Sequence, residues 1–369
     1  CGFHFSPVNR EKHPDIERAL EHFGDASVSR YAETHDFGFL RFGMQRMNYP
    51  AEGLYRWAAG MQYNQQIIPW LLFLRGGDRR FYEEAMNTAT YAADMHVNHY
   101  KRGGTPGSMS FVAGMPMPEG GGFAAYNMKA NFLALCHHLT GYRRAREAME
   151  LGIEGTKNSW VNLRADPVAR QLYGLNSYFA DAYEETLDPE VKALARRTLD
   201  KTLDTHWDPA ARVFAGNTQY LYKGLVPMHA MFPEPRLRDA MLQHLSGCGM
   251  PELPWAGPTD NRSAIMLIGC GWAYDQTKDE RYARIAWDVA RTLADIAPDH
   301  DWTSPVPVEY PLGHFAGYCH RVLPMLVGLG VVERNGLEYP ETSSLHDLFV
   351  THGQPGGTGT AYVRVLRDG

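Results

Sequence analysis

The chain has 369 residues, of which 44% are hydrophobic and 21% charged, so it has ample material for a core and extensive disorder is excluded. Lys and Arg total 36 against 42 Asp and Glu, and no basic run exceeds two residues, which argues against a nucleic-acid partner. The longest apolar stretch, residues 322–332, is well short of the roughly 20 residues that a membrane-spanning helix needs.

Four segments carry apolar residues at helical spacing along one face and are predicted to be amphipathic helices. They cover residues 81–95, 145–156, 191–203 and 282–296. Asp188 followed by Pro189 is typical of a helix start. Thr277-Lys278-Asp279-Glu280 has the pattern of a capping box in front of the last segment.

Directly before these segments lie helices of a second kind, apolar nearly all round in their later turns, as is typical of helices packed on all sides. The clearest cover residues 67–74, 131–139 and 265–274, and further ones are expected at 168–184, 214–231 and 312–329. Short turns such as Gly76-Gly77-Asp78 and Thr140-Gly141-Tyr142 join the two kinds into a repeated helical hairpin.

Five or six such hairpins predict an all-α fold, a closed (α/α)6 toroid over residues 1–345. An open helical-repeat scaffold is the alternative, although its repeats are commonly shorter, about 33 to 47 residues. Residues 346–369 are expected to hold a Gly-rich linker and the first strand of a truncated β domain, because Ala361–Leu366 has the composition of a strand.

The five cysteines are widely separated and odd in number, and no close pair indicates a metal or redox site. They are Cys1, Cys136, Cys248, Cys270 and Cys319. We expect mostly buried thiols. The sequence starts at Cys1 without an initiator Met or an apolar leader, so we expect a processed product or a piece of a longer protein.

Polar and aromatic residues cluster where each inner helix begins. In a toroid all inner helices point the same way, so these openings converge on one end of the central cavity. The stretches are 62–66, 126–129, 173–176, 217–220, 261–263 and 313–314. Converging helix N-termini favour an anionic ligand, and aromatic rings beside amides suit a sugar. A uronic-acid saccharide meets both conditions; the alternative is that these residues only cap helices and satisfy buried polar groups.

His96 and His99 lie one helical turn apart and are followed by Tyr100, Lys101 and Arg102. Three interpretations are open: a metal-binding pair, histidines favoured by the helix dipole, and a catalytic or substrate-binding role for His99, Tyr100 or Arg102 in the long loop that follows. Four tryptophans near predicted loops are candidates for stacking on sugar rings or for ordinary packing. They are Trp57, Trp207, Trp255 and Trp302.

Three motifs carry a resemblance to a known family: Trp57 followed by Tyr63-Asn64, the turn within residues 73–82, and His96 with His99-Tyr100. Over about residues 30–160 the chain resembles the helical domain of exo-acting rhamnogalacturonan lyase-like proteins, and residues 139–145 resemble that family's next repeat. It departs from the family at residues 101–104, where a His-rich stretch is expected. The resemblance implies an (α/α)6 barrel between two β domains. We expect a secreted or periplasmic bacterial protein, and Cys1 at the start of the sequence leaves lipid attachment open.

The resemblance also implies β-elimination at a uronic acid, which needs a carboxylate-neutralising group, a base and an acid. We assign Asn64 and Arg102 to the carboxylate, Tyr63 or His99 to the base, and Tyr126 to the acid. The residues expected to bind the rest of the saccharide are Trp57, Gln62, Asn127, Lys129, Tyr220, Arg262 and His314. No metal-ligand set and no cofactor is predicted, although a bound Ca²⁺ is left open.

Two other functions stay open at this point. A glycoside hydrolase on the same ring ordinarily needs two carboxyl groups, and acids near the predicted openings are few: Asp36, Glu119, Asp260 and Glu309. That scarcity favours the lyase, although a hydrolase acting on unsaturated uronides is a candidate. A non-catalytic carbohydrate-binding protein would bind sugar without turnover.

Overall fold

A computed structural model describes residues 7–33, 66–99, 107, 130–160, 169–215, 220–249, 261–296, 311–337, 348–353 and 360–365. Within these ranges the helices are α1 (Pro14–Glu33), α2 (Ile67–Gly76), α3 (Arg79–Tyr91), α4 (Asn131–Thr140), α5 (Arg143–Trp160), α6 (Ala169–Thr186), α7 (Pro189–Thr205), α8 (Leu221–Met231), α9 (Pro235–Gly249), α10 (Asn261–Thr277), α11 (Glu280–Ile296) and α12 (Pro311–Arg334). A π-helical turn, Ala92–His96, extends α3. The strands are β1 (Trp207–Asp208), β2 (Val213–Phe214), β3 (Leu348–Gly353) and β4 (Thr360–Val365).

The even-numbered helices form the inner ring of an (α/α)6 toroid. Each inner helix contacts the next, and α12 returns to contact α2, so the ring is closed. Close backbone approach helps: a Cβ atom at Gly224 of α8 would lie 2.5 Å from the Tyr173 carbonyl oxygen of α6, and one at Gly328 of α12 would lie 2.8 Å from the Leu267 carbonyl oxygen of α10. The predicted toroid is therefore confirmed, and the open scaffold is not what forms.

The odd-numbered helices form the outer ring, in which one stagger repeats. The second half of each outer helix, or the middle of the helix in α11, meets the first turn of the next outer helix or the residues just before it. These contacts are Asp25–Arg80 at 3.0 Å, Asp94–Arg144 at 2.9 Å, Lys157–Asp188 at 2.5 Å, Asp204–Arg236 at 2.6 Å, Ser246–Tyr282 at 3.4 Å, and the stack of Trp287 on His13 with ring centroids 4.8 Å apart. The last contact joins α11 to the start of α1 and closes this ring as well.

The turn from α8 to α9, where φ of Phe232 is −130°, differs from the other inner-to-outer turns. Those other four turns share one construction. Their first residue after the inner helix is left-handed, with φ of 73° at Gly77, 71° at Gly141, 53° at Leu187 and 58° at Lys278, and its N–H donates to the carbonyl four residues earlier. In three of these turns an aspartate follows and caps the outer helix. At the turn into α11 the cap is Asp279, which accepts from the Arg281 N–H at 3.0 Å. The predicted capping box from Thr277 was wrong, because the Thr277 hydroxyl instead donates to the Ala273 carbonyl.

Several elements differ from the sequence prediction. Helix α8 begins at Leu221, because Phe214 belongs to a short hairpin in which β1 pairs with β2. Helices α1 and α9 complete the outer ring and were not predicted as elements. The expected strand near the end of the chain is β4, and it pairs with β3 in an antiparallel hairpin. The division at residue 345 stays a prediction.

Two of the predicted buried thiols are described. Cys136 and Cys270 are free and buried, and burial raises the pKa of the Cys136 thiol to about 11 and that of Cys270 to about 12. Neither is a reactive thiolate at neutral pH. A search of the described helices found none long and apolar enough to cross a membrane.

Candidate active site at the openings of the inner helices

The two ends of the ring are built differently. Inner helices connect to the following outer helices through two or three residues, whereas the connections back into inner helices have eight residues or more. The long connections therefore enter at the end where the inner helices have their N-termini. We call the first turn of each inner helix, with the residue before it, its opening.

Most of the predicted site residues lie outside the described residues. These are Trp57, Gln62, Tyr63, Asn64, Arg102, Tyr126, Asn127 and Lys129. In sequence, all of them belong to the connections that enter α2 and α4. The backbone places Arg262 in the opening of α10 and His314 in that of α12. Only His99 and Tyr220 have described side chains, so the roles of the others stay predictions.

Each of four consecutive openings has a polar side chain that is at least partly buried. Gln66 precedes α2, Asn131 begins α4, Arg170 is in the first turn of α6, and Lys223 is in that of α8. Within the described part of the chain, both polar atoms of the Gln66 side chain, Oδ1 of Asn131 and Nζ of Lys223 are buried without a hydrogen-bond partner. Buried polar groups normally have partners. This end of the ring therefore has unused hydrogen-bonding capacity.

Lys223 is the most unusual of these groups. Desolvation lowers the pKa of its ammonium to about 8, and the more distant charge of Asp181 on α6 opposes the shift only in part. A buried lysine without a carboxylate at hydrogen-bonding distance is costly. Sequence reasoning missed it, although a lone lysine in the otherwise apolar segment Leu221–Met231 was a usable signal.

Tyr220 lies at the opening of α8, as predicted, and its ring is fully buried. The Arg170 guanidinium covers that ring at 5.8 Å from its centroid, which holds a second cation at the neighbouring opening. Tyr173 on α6 donates its hydroxyl to the Ala215 carbonyl at 2.8 Å, and burial raises its pKa. Tyr173 is thus fixed as a neutral phenol.

His99 lies at the joint between α3 and α5. Its Nε2–H donates to the Ala93 carbonyl at 2.6 Å, and the Arg144 guanidinium, which pairs with Asp94, lies 3.4 Å from the same nitrogen. The described contacts of His99 are therefore with the outer ring. Its Nδ1 is the ring nitrogen left to accept a proton, which restricts any role as a base.

The openings differ from a two-carboxylate site in their charge. In the described residues at the openings of α2, α4, α6 and α8, the titratable residues are Arg170, Lys223 and tyrosines, and none is an acid. No group of three His, Cys, Asp or Glu side chains suited to a metal occurs among the described residues. The arrangement suits an anionic, hydroxyl-rich ligand.

The predicted Trp207 and a further histidine, His138, pack away from the openings. The Trp207 ring of β1 packs on Phe214 of β2 with centroids 4.9 Å apart. His138 donates its Nε2–H to Glu185 at 2.6 Å, which joins the C-terminal ends of α4 and α6. Neither position is at an opening.

Comparison with known proteins identifies structures of the same fold but no protein family. No protein-family model matches the sequence, and the comparison with curated proteins gives no match. Solved structures do match. A sugar epimerase from a ruminal bacterium superposes with a TM-score of 0.61 at 12% identity over 88% of this chain and 100% of its own.

Two further structures match over similar lengths. An unsaturated glucuronyl hydrolase specific for heparin matches with a TM-score of 0.57 at 11% identity, covering 88% of this chain and 99% of its own. A polysaccharide lyase matches with a TM-score of 0.56 at 11% identity, covering 87% and 99%. At these identities the likeness establishes the (α/α)6 fold, which this chain shares with enzymes of three sugar chemistries.

Proposed function

We propose that the protein is a carbohydrate-active enzyme that cleaves a uronic-acid-containing polysaccharide, similar to rhamnogalacturonan, by β-elimination. The observation that carries the proposal is the set of cationic and amide side chains at the openings of α2, α4, α6 and α8, whose described residues include no acid. A helix N-terminus, an arginine and a lysine stabilise a carboxylate and the negative charge that develops on it. The sugar-processing enzymes that share the fold support a saccharide as the substrate.

In β-elimination a base removes the proton on the carbon next to the carboxylate. The released electron pair forms the new carbon–carbon double bond, the bond to the glycosidic oxygen breaks, and an acid returns a proton to that oxygen. We assign Asn64 and Arg102 to the carboxylate and Tyr126 to the acid. Tyr63 is preferred to His99 as the base, because Nε2 of His99 is engaged by the Ala93 carbonyl.

The hydrolase is the main alternative and has one feature in its favour, a fold shared with a glucuronyl hydrolase. Hydrolysis ordinarily requires two carboxyl groups on either side of the bond. Asp181 is an acid on α6 that acts electrostatically on Lys223, but it lies three turns beyond Arg170 at the opening. A carbohydrate-binding protein without activity is the remaining alternative.

The test follows the ultraviolet absorbance of the conjugated double bond. The protein is incubated with rhamnogalacturonan, with polygalacturonate and with an unsaturated oligouronide. We expect absorbance to rise on a polymer and to stay flat with Tyr63→Phe, because a phenylalanine has no proton acceptor. Tyr183→Phe, on the far half of α6, is the matched control and should retain activity.

Each other outcome supports a different function. A fall in absorbance with the oligouronide supports the hydrolase. Sugar binding without any turnover supports the non-catalytic protein. Full activity in Tyr63→Phe would leave elimination in place but remove Tyr63 from it.

A further inference from the structure

The contacts of α8 define which side of this helix faces the central cavity. Tyr222 donates its hydroxyl to the Met241 carbonyl of α9 at 3.3 Å, His229 packs on Trp272 of α10 with ring centroids 5.1 Å apart, and Gly224 lies against α6. The side that remains holds the residues of α8 that are partly exposed, while the others are buried. These residues are Lys223, Val226, Pro227, Ala230 and Met231. Lys223 therefore extends from the cavity side of α8, one turn from its N-terminus.

We propose that Lys223 binds the carboxylate of the sugar acid in the central cavity and thereby selects charged over neutral saccharides. This inference rests on the proposed function, from which it takes a uronic acid as the ligand. It adds a specificity-determining residue that belongs to none of the motifs on which the elimination chemistry is assigned.

The amino group of Lys223 lacks a hydrogen-bond partner among the described residues although it is buried. A carboxylate ligand would supply the missing charge and two acceptor oxygens, whereas a sugar hydroxyl would supply an acceptor but no charge. The stem of the side chain is partly exposed and has four rotatable bonds, so the amino group can meet a ligand in the cavity.

Among the described residues, the charge that acts on Lys223 comes from α6. From α6, Asp181 acts on it electrostatically, and Arg170 lies over Tyr220, one turn before it. From α10, the described residues that contact α8 include Gly269 and Trp272, which carry no charge. Because the pKa of Lys223 is about 8, the amino group is partly neutral at pH 8, and a bound carboxylate would draw a proton onto it.

The experiment measures proton uptake on binding. Galacturonate and galactose, which differ only in oxidation at C6 and have no glycosidic bond to eliminate, are titrated into the full chain by calorimetry at pH 8. Two buffers with different ionisation enthalpies give the number of protons taken up. At pH 8, which is near the pKa of Lys223 of about 8, we expect the protein to take up about half a proton per site when galacturonate binds. At pH 6 it should take up almost none. Galactose should take up none.

Two substitutions and a control separate binding from stability. Lys223→Met should weaken galacturonate binding by about ten-fold or more and abolish proton uptake. Lys223→Arg should keep the preference for galacturonate but lose the uptake, since arginine stays charged. Lys192→Met, at an exposed site on α7, should bind galacturonate with the wild-type affinity and uptake. Thermal unfolding checks that each variant folds.

The inference is overturned if galacturonate does not bind, if it binds without proton uptake at pH 8, or if folded Lys223→Met keeps both affinity and uptake. The last result would leave Lys223 as an electrostatic partner of Asp181 alone. The absorbance assay reports separately on the proposed function. Proton uptake that depends on Lys223, in a protein that catalyses no elimination, would support this inference and contradict the proposed β-elimination. Elimination with an unchanged KM in Lys223→Met would support β-elimination and contradict this inference.

Discussion

In three of the inner-to-outer turns, a left-handed residue and the side chain of the aspartate after it define the boundary between the two helices. At the turn between α6 and α7, Leu187 is left-handed and Asp188 accepts from the Glu190 N–H at 2.8 Å. Asp188 also pairs with Lys157 of the preceding outer helix, whose ammonium lowers the pKa of the Asp188 carboxyl. The Asp188 side chain thus caps the N-terminus of α7 and joins α7 to α5.

Removing the Asp188 cap should destabilise the fold measurably. We expect Asp188→Ala to reduce the free energy of unfolding by about 1 kcal/mol, because the first N–H groups of α7 lose their acceptor. Asp188→Asn keeps a capping oxygen and should cost less, so the difference between the two variants in urea unfolding isolates the cap. Because the pKa of Asp188 is lowered in the folded state, its contribution is present above the unfolded pKa. It is lost as pH falls through the folded value.

The packing of neighbouring inner helices depends on small residues at their contacts. The Cβ position of Gly224 is 2.5 Å from the Tyr173 carbonyl oxygen, closer than Cβ atoms approach in proteins, and 3.0 Å from Cβ of Asn176, which is also a tight contact. Lys223 is the adjacent residue, so the same close contact that joins α8 to α6 also determines where the lysine extends. Packing and the candidate site are coupled at this point.

A methyl group at Gly224 should force α6 and α8 apart. Gly224→Ala is expected to lower the free energy of unfolding by about 1 to 3 kcal/mol through overpacking. The control is Gly76→Ala at the end of α2, where a Cβ atom would approach nothing nearer than the Val8 side chain at 3.7 Å. It should be neutral or slightly stabilising. Equal melting temperatures for the two variants would contradict the close contact.

Closure of the toroid joins the first helix to the last hairpins. His13, before α1, stacks on Trp287 of α11 and pairs with Glu333 at the end of α12 at 2.6 Å. Glu17 of α1 receives two hydrogen bonds from Arg75 of α2, at 2.6 and 3.1 Å, and both side chains are 3% exposed. These contacts link residues far apart in sequence, so the stability of the ring should be cooperative.

Breaking the buried pair should therefore destabilise the entire ring. Glu17→Gln removes the charge that balances Arg75 and is expected to cost about 3 kcal/mol or more. Glu83→Gln breaks an exposed ion pair, in which the Glu83 side chain is 59% and the Arg79 side chain 88% exposed. It should lower the free energy of unfolding by less than about 0.5 kcal/mol. Calorimetric melting compares the two. A similar small loss for both would show that the Glu17–Arg75 pair does not hold the ring together.

The alternation of helices was readable from the chain because it depends on local periodicity. One apolar face in α11 and apolar residues all round in α4 predicted an outer and an inner helix without any tertiary information. The sequence pattern predicted the wrong N-cap residue for α11, because Thr277 and Asp279 both have side chains that can cap a helix. The choice between them depends on where the left-handed Lys278 falls.

The sequence by itself determined the hairpin repeat, the closed toroid and the polar character of the inner-helix openings, since each follows from residue type and spacing. Only the tertiary structure decided which opening side chains face the cavity and which lack partners. His99 was predicted from its neighbours in sequence, yet its described contacts are in the outer ring. Lys223 has no motif around it, and its isolation arises from burial between helices that are distant in sequence.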